Sequence, residues 1–371
     1  MSERDSRQNL GYQPALDGVR GVSILLVLIH HTEFIKPISF SVLPGGFLGV
    51  DIFFVLSGFL ITSLLVEELE TTGTVSFRRF YIRRALRLLP AVGAALLFSA
   101  LVGAVVGFDE LGLTAWRVVS IIGYFTNWVR AYETPDLWFL THFWSLAIEE
   151  QFYLVWPFSF FGLLRAGIGR RGVLLIVTAG IVISVIWMAV LQSRGATVLR
   201  LLTGSDTRAH TLLVGCWLSL AWHWGYLKAE SWNSRSYQIL ISLTMILLTL
   251  VCIFVRPGSH FLYAGGSLLV ALCAGILIVS LVVRGNRLFF TNPVMLWLGR
   301  RSYGLYVWHW PFFYLCAYIK RPSVAIPVAV LAALAAAAVS YKFIELPFLR
   351  MKARFAASDL TTTKGTKSAN Q

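Results

Sequence analysis

The sequence predicts an all-α fold: a polytopic transmembrane helix bundle of about ten spans with both termini cytoplasmic. Three observations predict it. The 371 residues are 57% hydrophobic and only 13% charged, with a mean hydropathy of +0.71; a water-soluble chain of that composition would leave too much apolar surface in water. The apolar residues gather into runs near the roughly 20 residues that cross a bilayer as a helix. The basic residues, 32 against 18 acidic, fall mainly in alternate connections between those runs, the asymmetry that orients helices with their basic flanks inside.

The expected spans lie at residues 18–36, 47–66, 85–107, 141–164, 172–191, 210–227, 237–255, 261–283, 302–319 and 323–344. Met1 to Asn9 is polar and no small-residue cleavage site follows the first apolar run, so that run is expected to stay as a helix. Trp116 to Val129 is short and contains Asn127, and is expected to be re-entrant or interfacial. Residues 1–350 are read as one membrane domain and 351–371 as a polar, disordered tail.

With the N-terminus inside, the inner segments hold Arg4, Arg7 and Arg20, the cluster Arg78, Arg79, Arg83, Arg84 and Arg87, then Arg165, Arg170 and Arg171, Lys228 and Arg235, and Arg284, Arg287, Arg300 and Arg301. The outer loop 108–140 is acidic, with Asp109, Glu110, Glu133 and Asp136. Topology thus accounts for the formal net charge of +14, and membrane lipid rather than nucleic acid is the expected partner. Cys216, Cys252, Cys273 and Cys316 stand singly in apolar stretches, without the paired spacing of a metal site or disulfide framework, and read as packing residues.

Several polar residues lie where lipid makes them costly. Arg20 and His31 are eleven residues apart, nearly three full helical turns, and so share a face about 16 Å apart along the axis. Arg20 then sits at the cytoplasmic edge and His31 near the middle or outer half of the bilayer. A lone histidine there could be a neutral ring bonding a neighbouring helix. Asp51 falls in the second span and needs a partner or a water-filled cavity. Glu149 and Glu150 open the fourth span about 100° apart, and Glu150 is expected to face the bundle. Arg84 and Arg87, spaced i, i+3, project from one face at the inner surface, a geometry suited to a polyphosphate. Tyr303, Tyr306, Trp308 and His309 crowd the ninth span, where an interfacial aromatic belt is the alternative reading, and Glu345 ends the tenth.

These residues resemble the acyltransferase 3 family of membrane acyltransferases, over about Tyr12 to Arg350. Arg20 and His31 are similar to its first-helix Arg-x10-His signature, and Gly46-Phe-Leu-Gly-Val-Asp51-Ile-Phe-Phe-Val-Leu-Ser57-Gly to its second-helix motif. Arg84-Ala-Leu-Arg87, followed by Pro90, resembles its Arg-x-x-Arg element. Trp144-Ser145-Leu-Ala-Ile-Glu149-Glu150-Gln-Phe-Tyr resembles its fourth-helix block, and Ser302-Tyr303-Gly-Leu-Tyr306-Val-Trp308-His309 its late Ser-Tyr block.

The resemblance implies transfer of an acyl group, commonly acetyl, from cytoplasmic acyl-CoA to a hydroxyl of an envelope or secondary-metabolite carbohydrate. Some relatives append an extracytoplasmic hydrolase-like domain, so this chain is expected to act alone or with a separate partner outside. No permanently bound cofactor and no metal is expected. His31 is the expected base or nucleophile, with Asp51 or Glu150 orienting it. Arg84 and Arg87, with Arg83, are expected to hold the CoA phosphates, and Arg20 to guide the pantetheine arm or bind phosphate. Trp144, Ser145, Tyr303, His309 and Glu345 are the expected substrate contacts. A proton-coupled or small-molecule transporter is the rival reading, since it too keeps ionisable groups inside its helices; the cytoplasmic arginine pair and the absence of a repeat with broken helices count against it.

Overall fold

Helix is the only regular structure among the residues that the computed structural model describes, which are 10–35, 43–132, 138–227, 234–284 and 288–351. The expected tail beyond Met351, the acidic Glu133 and Asp136, and the basic Arg4, Arg7, Lys228 and Arg287 lie outside them. In chain order the helices are α1 (Pro14–Ile35), α2 (Gly49–Thr72), α3 (Phe77–Val106), α4 (Ala115–Ile122), α5 (Thr126–Tyr132), α6 (Trp144–Arg165), α7 (Arg170–Ser193), α8 (Val198–Thr203), α9 (Ser205–His223), α10 (Arg235–Phe254), α11 (Ser267–Arg284), α12 (Leu288–Thr291), α13 (Pro293–Arg300), α14 (Ser302–Cys316) and α15 (Pro322–Ser340). Their ends follow local chemistry. Thr114, Ser234 and Asn292 cap the amides of Arg117, Tyr237 and Met295, and Pro293 starts α13, where its missing amide costs nothing.

Seven of these segments are long and apolar enough to cross a membrane, among them Pro14–Ile35, Pro44–Thr72 and Phe77–Val106. The protein is therefore a polytopic helical membrane protein. The other three expected spans are also helical, on α6, α9 and α14, but are shorter or more polar. They carry the groups that the bundle has to shield: Glu149 and Glu150, Arg208 and His210, and His309. The stretch around Trp116–Val129 forms two helices of eight and seven residues, each too short to span, joined at Tyr124, where φ is 55°. Asn127 is fully buried there, donating to the Thr203 carbonyl and Ser205 and accepting from Gln151.

The most extensive interface between helices among the described residues joins α2 to α9. A side chain at Gly58 would collide with the Leu212 carbonyl oxygen, and one at Gly215 with the Val55 carbonyl oxygen. Small residues at such crossings let two backbones approach closely in a bilayer, where there is no hydrophobic drive to bring helices together. α3 is held differently. Its Leu88, Val92 and Ala95 pack on Val307 and Trp308 of α14 and on Trp138–Phe143, while Leu97, Leu101 and Val105 face outward. Between α3 and α2 a cleft is left open, bridged at one end by the Arg83–Glu68 ion pair at 3.1 Å.

Candidate active site

The cleft measures about 850 Å³ out to its open mouth. One wall is a stripe of α2, Phe53, Ser57, Leu60 and Leu64, which share a face at i, i+4, i+7 and i+11. α1 contributes Arg20, α3 contributes Arg84, Arg87 and Leu88, α6 contributes Ser145, Glu149 and Tyr153, and α14 contributes Ser302, Tyr303 and Tyr306. A second cavity of about 620 Å³ shares Arg20, Arg87, Ser302 and Tyr303 with the first and adds Asp17, Arg300, Tyr341 and Glu345. Arg20 and Arg87 thus line both.

The three arginines are not equivalent. Arg84 is gripped by Glu150, with Nε and Nη2 at 2.9 and 2.7 Å from Oε1, and its guanidinium lies over the Tyr153 ring at 3.3 Å. Arg20 donates to Asp17 at 2.7 Å, and Asp17 also accepts from the Tyr12 hydroxyl at 2.9 Å. Arg87 lines both cavities with no hydrogen bond or ion pair among the described residues. Of the four arginines expected at the donor, Arg20, Arg84 and Arg87 line the cleft, whereas Arg83 is turned away onto Glu68 and lines neither cavity.

His31 and His309 come together where α14 packs against α1. Nδ1 of His31 lies 2.9 Å from Nε2 of His309, the two rings are nearly parallel with centroids 5.0 Å apart, and Trp310 closes on His31 edge-on at 4.9 Å. His142 and His30 extend the cluster: the His142 ring lies 5.4 Å from that of His309 with its Nε2 3.1 Å from the Val307 carbonyl oxygen, and the His30 ring lies 5.5 Å from that of His31. Tyr306 connects cluster and cleft: it lines the cleft, its hydroxyl bonds Ser145 at 2.6 Å and the His142 carbonyl at 2.7 Å, and its ring lies 5.5 Å from that of His309. Among the described residues no group of three or more His, Cys, Asp or Glu side chains could hold a metal ion.

Neither expected orienting carboxylate touches His31. Asp51 is completely buried and accepts from Arg208 of α9 at 2.5 Å, and Glu150 is spent on Arg84. The carboxylate that faces the cleft is the neighbouring Glu149, which accepts from Ser57 at 2.9 Å. Of the expected substrate contacts, Ser145 and Tyr303 line the cleft, Tyr303 with its hydroxyl on the Leu88 carbonyl at 2.7 Å, while Glu345 lines the second cavity and accepts from Ser340 at 3.1 Å. His309 meets His31. Trp144 lines neither cavity and is buried edge-on against Phe54.

Two arginines escaped the sequence reading. Arg208 lies inside α9, which begins at Ser205, whereas the sixth span was expected only from residue 210. The charge that argues against a span is neutralised by Asp51. Arg130 projects from the short α5 onto Thr141, the residue before His142, and its Nε is buried without a partner. It lies within electrostatic range of His31, His142 and Tyr306. Its seven-residue helix carries too little periodicity to reveal an inward face.

Comparison with known proteins fits this arrangement. Residues 13–344 match the acyltransferase 3 family, described as an acyltransferase domain. A Staphylococcus aureus (strain MSSA476) protein provisionally named an O-acetyltransferase is 34% identical over 358 residues, covering 92% of this chain and 58% of its own. The peptidoglycan O-acetyltransferase OatA of Listeria monocytogenes is 32% identical over 361 residues, covering 93% of this chain and 57% of its own. A Bacillus subtilis protein provisionally named a peptidoglycan O-acetyltransferase is 35% identical over 364 residues, covering 92% and 55%. The chain therefore spans little more than half the length of these relatives. No solved structure matches it. The chain belongs to the acyltransferase 3 family of multi-pass membrane acyltransferases.

Proposed function

We propose that the protein transfers an acetyl group from acetyl-CoA, bound from the cytoplasmic side, to a hydroxyl of a cell-envelope carbohydrate reached from the other side. The observation that carries this reading is the cleft whose cationic mouth, with Arg87 unpaired among the described residues, leads through Tyr306 to the ring cluster of His31. Arginine forks suit the phosphates of CoA, and the apolar stripe of α2 suits the pantetheine arm. The peptidoglycan named for the Listeria relative makes a glycan hydroxyl the natural acceptor.

The chemistry assigned to this chain is modest. His31 takes the proton of the attacking hydroxyl; the new C–O bond forms at the thioester carbon and gives a tetrahedral oxyanion. The oxyanion collapses, the C–S bond breaks, and the proton on His31 passes to the departing CoA sulfur. Arg130, buried beside the cluster, is the positive group nearest the developing negative charge.

The test uses the whole protein in lipid nanodiscs with radiolabelled acetyl-CoA and soluble peptidoglycan fragments. Label moving to the glycan together with free thiol release is the expected result. Acetyl-CoA recovered intact in the presence of every glycan tried would overturn the reading. Labelled CoA crossing the bilayer unchanged would instead support a carrier.

A further inference from the structure

A histidine presents its basic lone pair on one ring nitrogen, and the bond made by the other nitrogen decides which. Around His31 that choice is fixed by backbone carbonyls. Nδ1 of His309 lies 2.8 Å from the Tyr306 carbonyl oxygen and 3.1 Å from that of Leu305. A carbonyl only accepts, so His309 carries its hydrogen on Nδ1, and in the neutral ring its Nε2 is a lone pair. That lone pair faces Nδ1 of His31 at 2.9 Å. Two lone pairs would repel at this distance, so Nδ1 of His31 is the donor and its Nε2 carries the lone pair.

We propose that His309 is the positioning residue of the reaction: it holds His31 in the Nδ1-protonated tautomer and leaves Nε2 of His31 as the reactive lone pair. A neutral imidazole anchored on a helix carbonyl thereby takes the place that a carboxylate holds in a Ser-His-Asp triad. The same bookkeeping distinguishes the three rings. His309 has both nitrogens engaged. His142 donates from Nε2 to the Val307 carbonyl, which leaves a lone pair on Nδ1, but that atom is sealed inside the protein with no partner. His31 is half-buried, and nothing among the described residues bonds its Nε2. When His31 takes a proton, its bond to His309 becomes charge-assisted and shortens, which steadies the ring as charge develops.

The kinetic part of this inference rests on the acetyl-transfer reading; the tautomer does not. The protein is labelled with nitrogen-15 histidine and reconstituted in nanodiscs, and the His31 signals are assigned among the seven histidines by their loss in His31→Asn. The expected spectrum shows hydrogen on Nδ1 and a bare Nε2. In His309→Leu, which cannot accept, the His31 signals move to the other tautomer or to an average of the two. Its kcat for acetyl transfer falls by about 10²-fold, with KM for acetyl-CoA unchanged. His309→Gln places an amide oxygen where it can accept from His31 and restores both the spectrum and about a tenth or more of the rate. Thermal transitions matching the parent keep folding out of the comparison. A parent spectrum with hydrogen on Nε2 of His31, or a His309→Leu variant that keeps tautomer and kcat, overturns the proposal. The expected spectrum with no acetyl transfer by any form would remove the acetyl-transfer reading and leave the tautomer standing.

Discussion

The cleft and the histidine cluster adjoin through Tyr306 but manage polarity in opposite ways. In the cleft, full charges face each other: Arg84 on Glu150, Arg20 on Asp17, and Glu149 close by, with Arg87 uncommitted. In the cluster, His31, His309 and His142 settle on carbonyl oxygens and on one another, and the carboxylate nearby, Glu33, stands 3.9 Å from Nδ1 of the adjoining His30. A region that receives a polyanion from water can keep strong charges, because the incoming ligand completes the set. A region deep in the bundle keeps neutral rings, because unpaired charge there is expensive. On the proposed function, one end would grip the donor and the other would move a proton.

That contrast can be broken first at His31. His31→Ala is expected to lower kcat by about 10²–10⁴-fold while leaving KM for acetyl-CoA within error, as read by release of free thiol. A comparable change in KM would mean that the two regions are not separate. The next largest effect concerns a pair that belongs to neither region. Arg208→Met strands the Asp51 carboxylate and is expected to cost about 3–5 kcal/mol, read from thermal unfolding in detergent. Asp51→Leu combined with Arg208→Met is expected to recover most of the loss.

Arg87→Gln tests the grip. Removing one charge-assisted contact worth about 1.5–3 kcal/mol should raise KM for acetyl-CoA by about 10- to 10²-fold with kcat nearly unchanged, the mirror image of His31→Ala. The smallest effect is expected at Arg83. Its partly exposed bridge to Glu68 is worth about 1 kcal/mol or less, so Arg83→Ala should shift KM by less than about fivefold. A shift as large as that of Arg87→Gln would return Arg83 to the phosphate clamp.

Much of this plan was legible in the sequence because helical periodicity is local. The spacing of Arg20 and His31, and of Arg84 and Arg87, placed each pair on one face, and the structure keeps them so, with Arg20, Arg84 and Arg87 on the cleft. What escaped was pairing across the chain. Asp51 needs Arg208, 157 residues away, and no periodicity predicts which helix will answer a buried charge. Glu150 faces the bundle as expected, but its neighbour Glu149 does so too, and the nearness of Arg84 alone decides that Glu150 is occupied while Glu149 lines the cleft. His309 was expected at substrate; its bond to His31 depends on how α14 packs against α1, which is tertiary information.

The bond between Asp51 and Arg208 also carries a consequence for how the protein is made. Helices enter the bilayer one after another as the ribosome delivers them, and a lone aspartate or arginine costs at most about 2.5–3.5 kcal/mol on insertion scales, the figure for a helix centre; Asp51 and Arg208 lie in the first turns of α2 and α9. With 157 residues between the partners and synthesis at about 5–20 residues per second, α2 waits on the order of 8–30 s for α9. The leucine, isoleucine, valine and phenylalanine residues around Asp51 must carry it through that interval unaided. α9 meets the same difficulty with fewer apolar residues to draw on, and it arrives when Asp51 is already in place to receive Arg208.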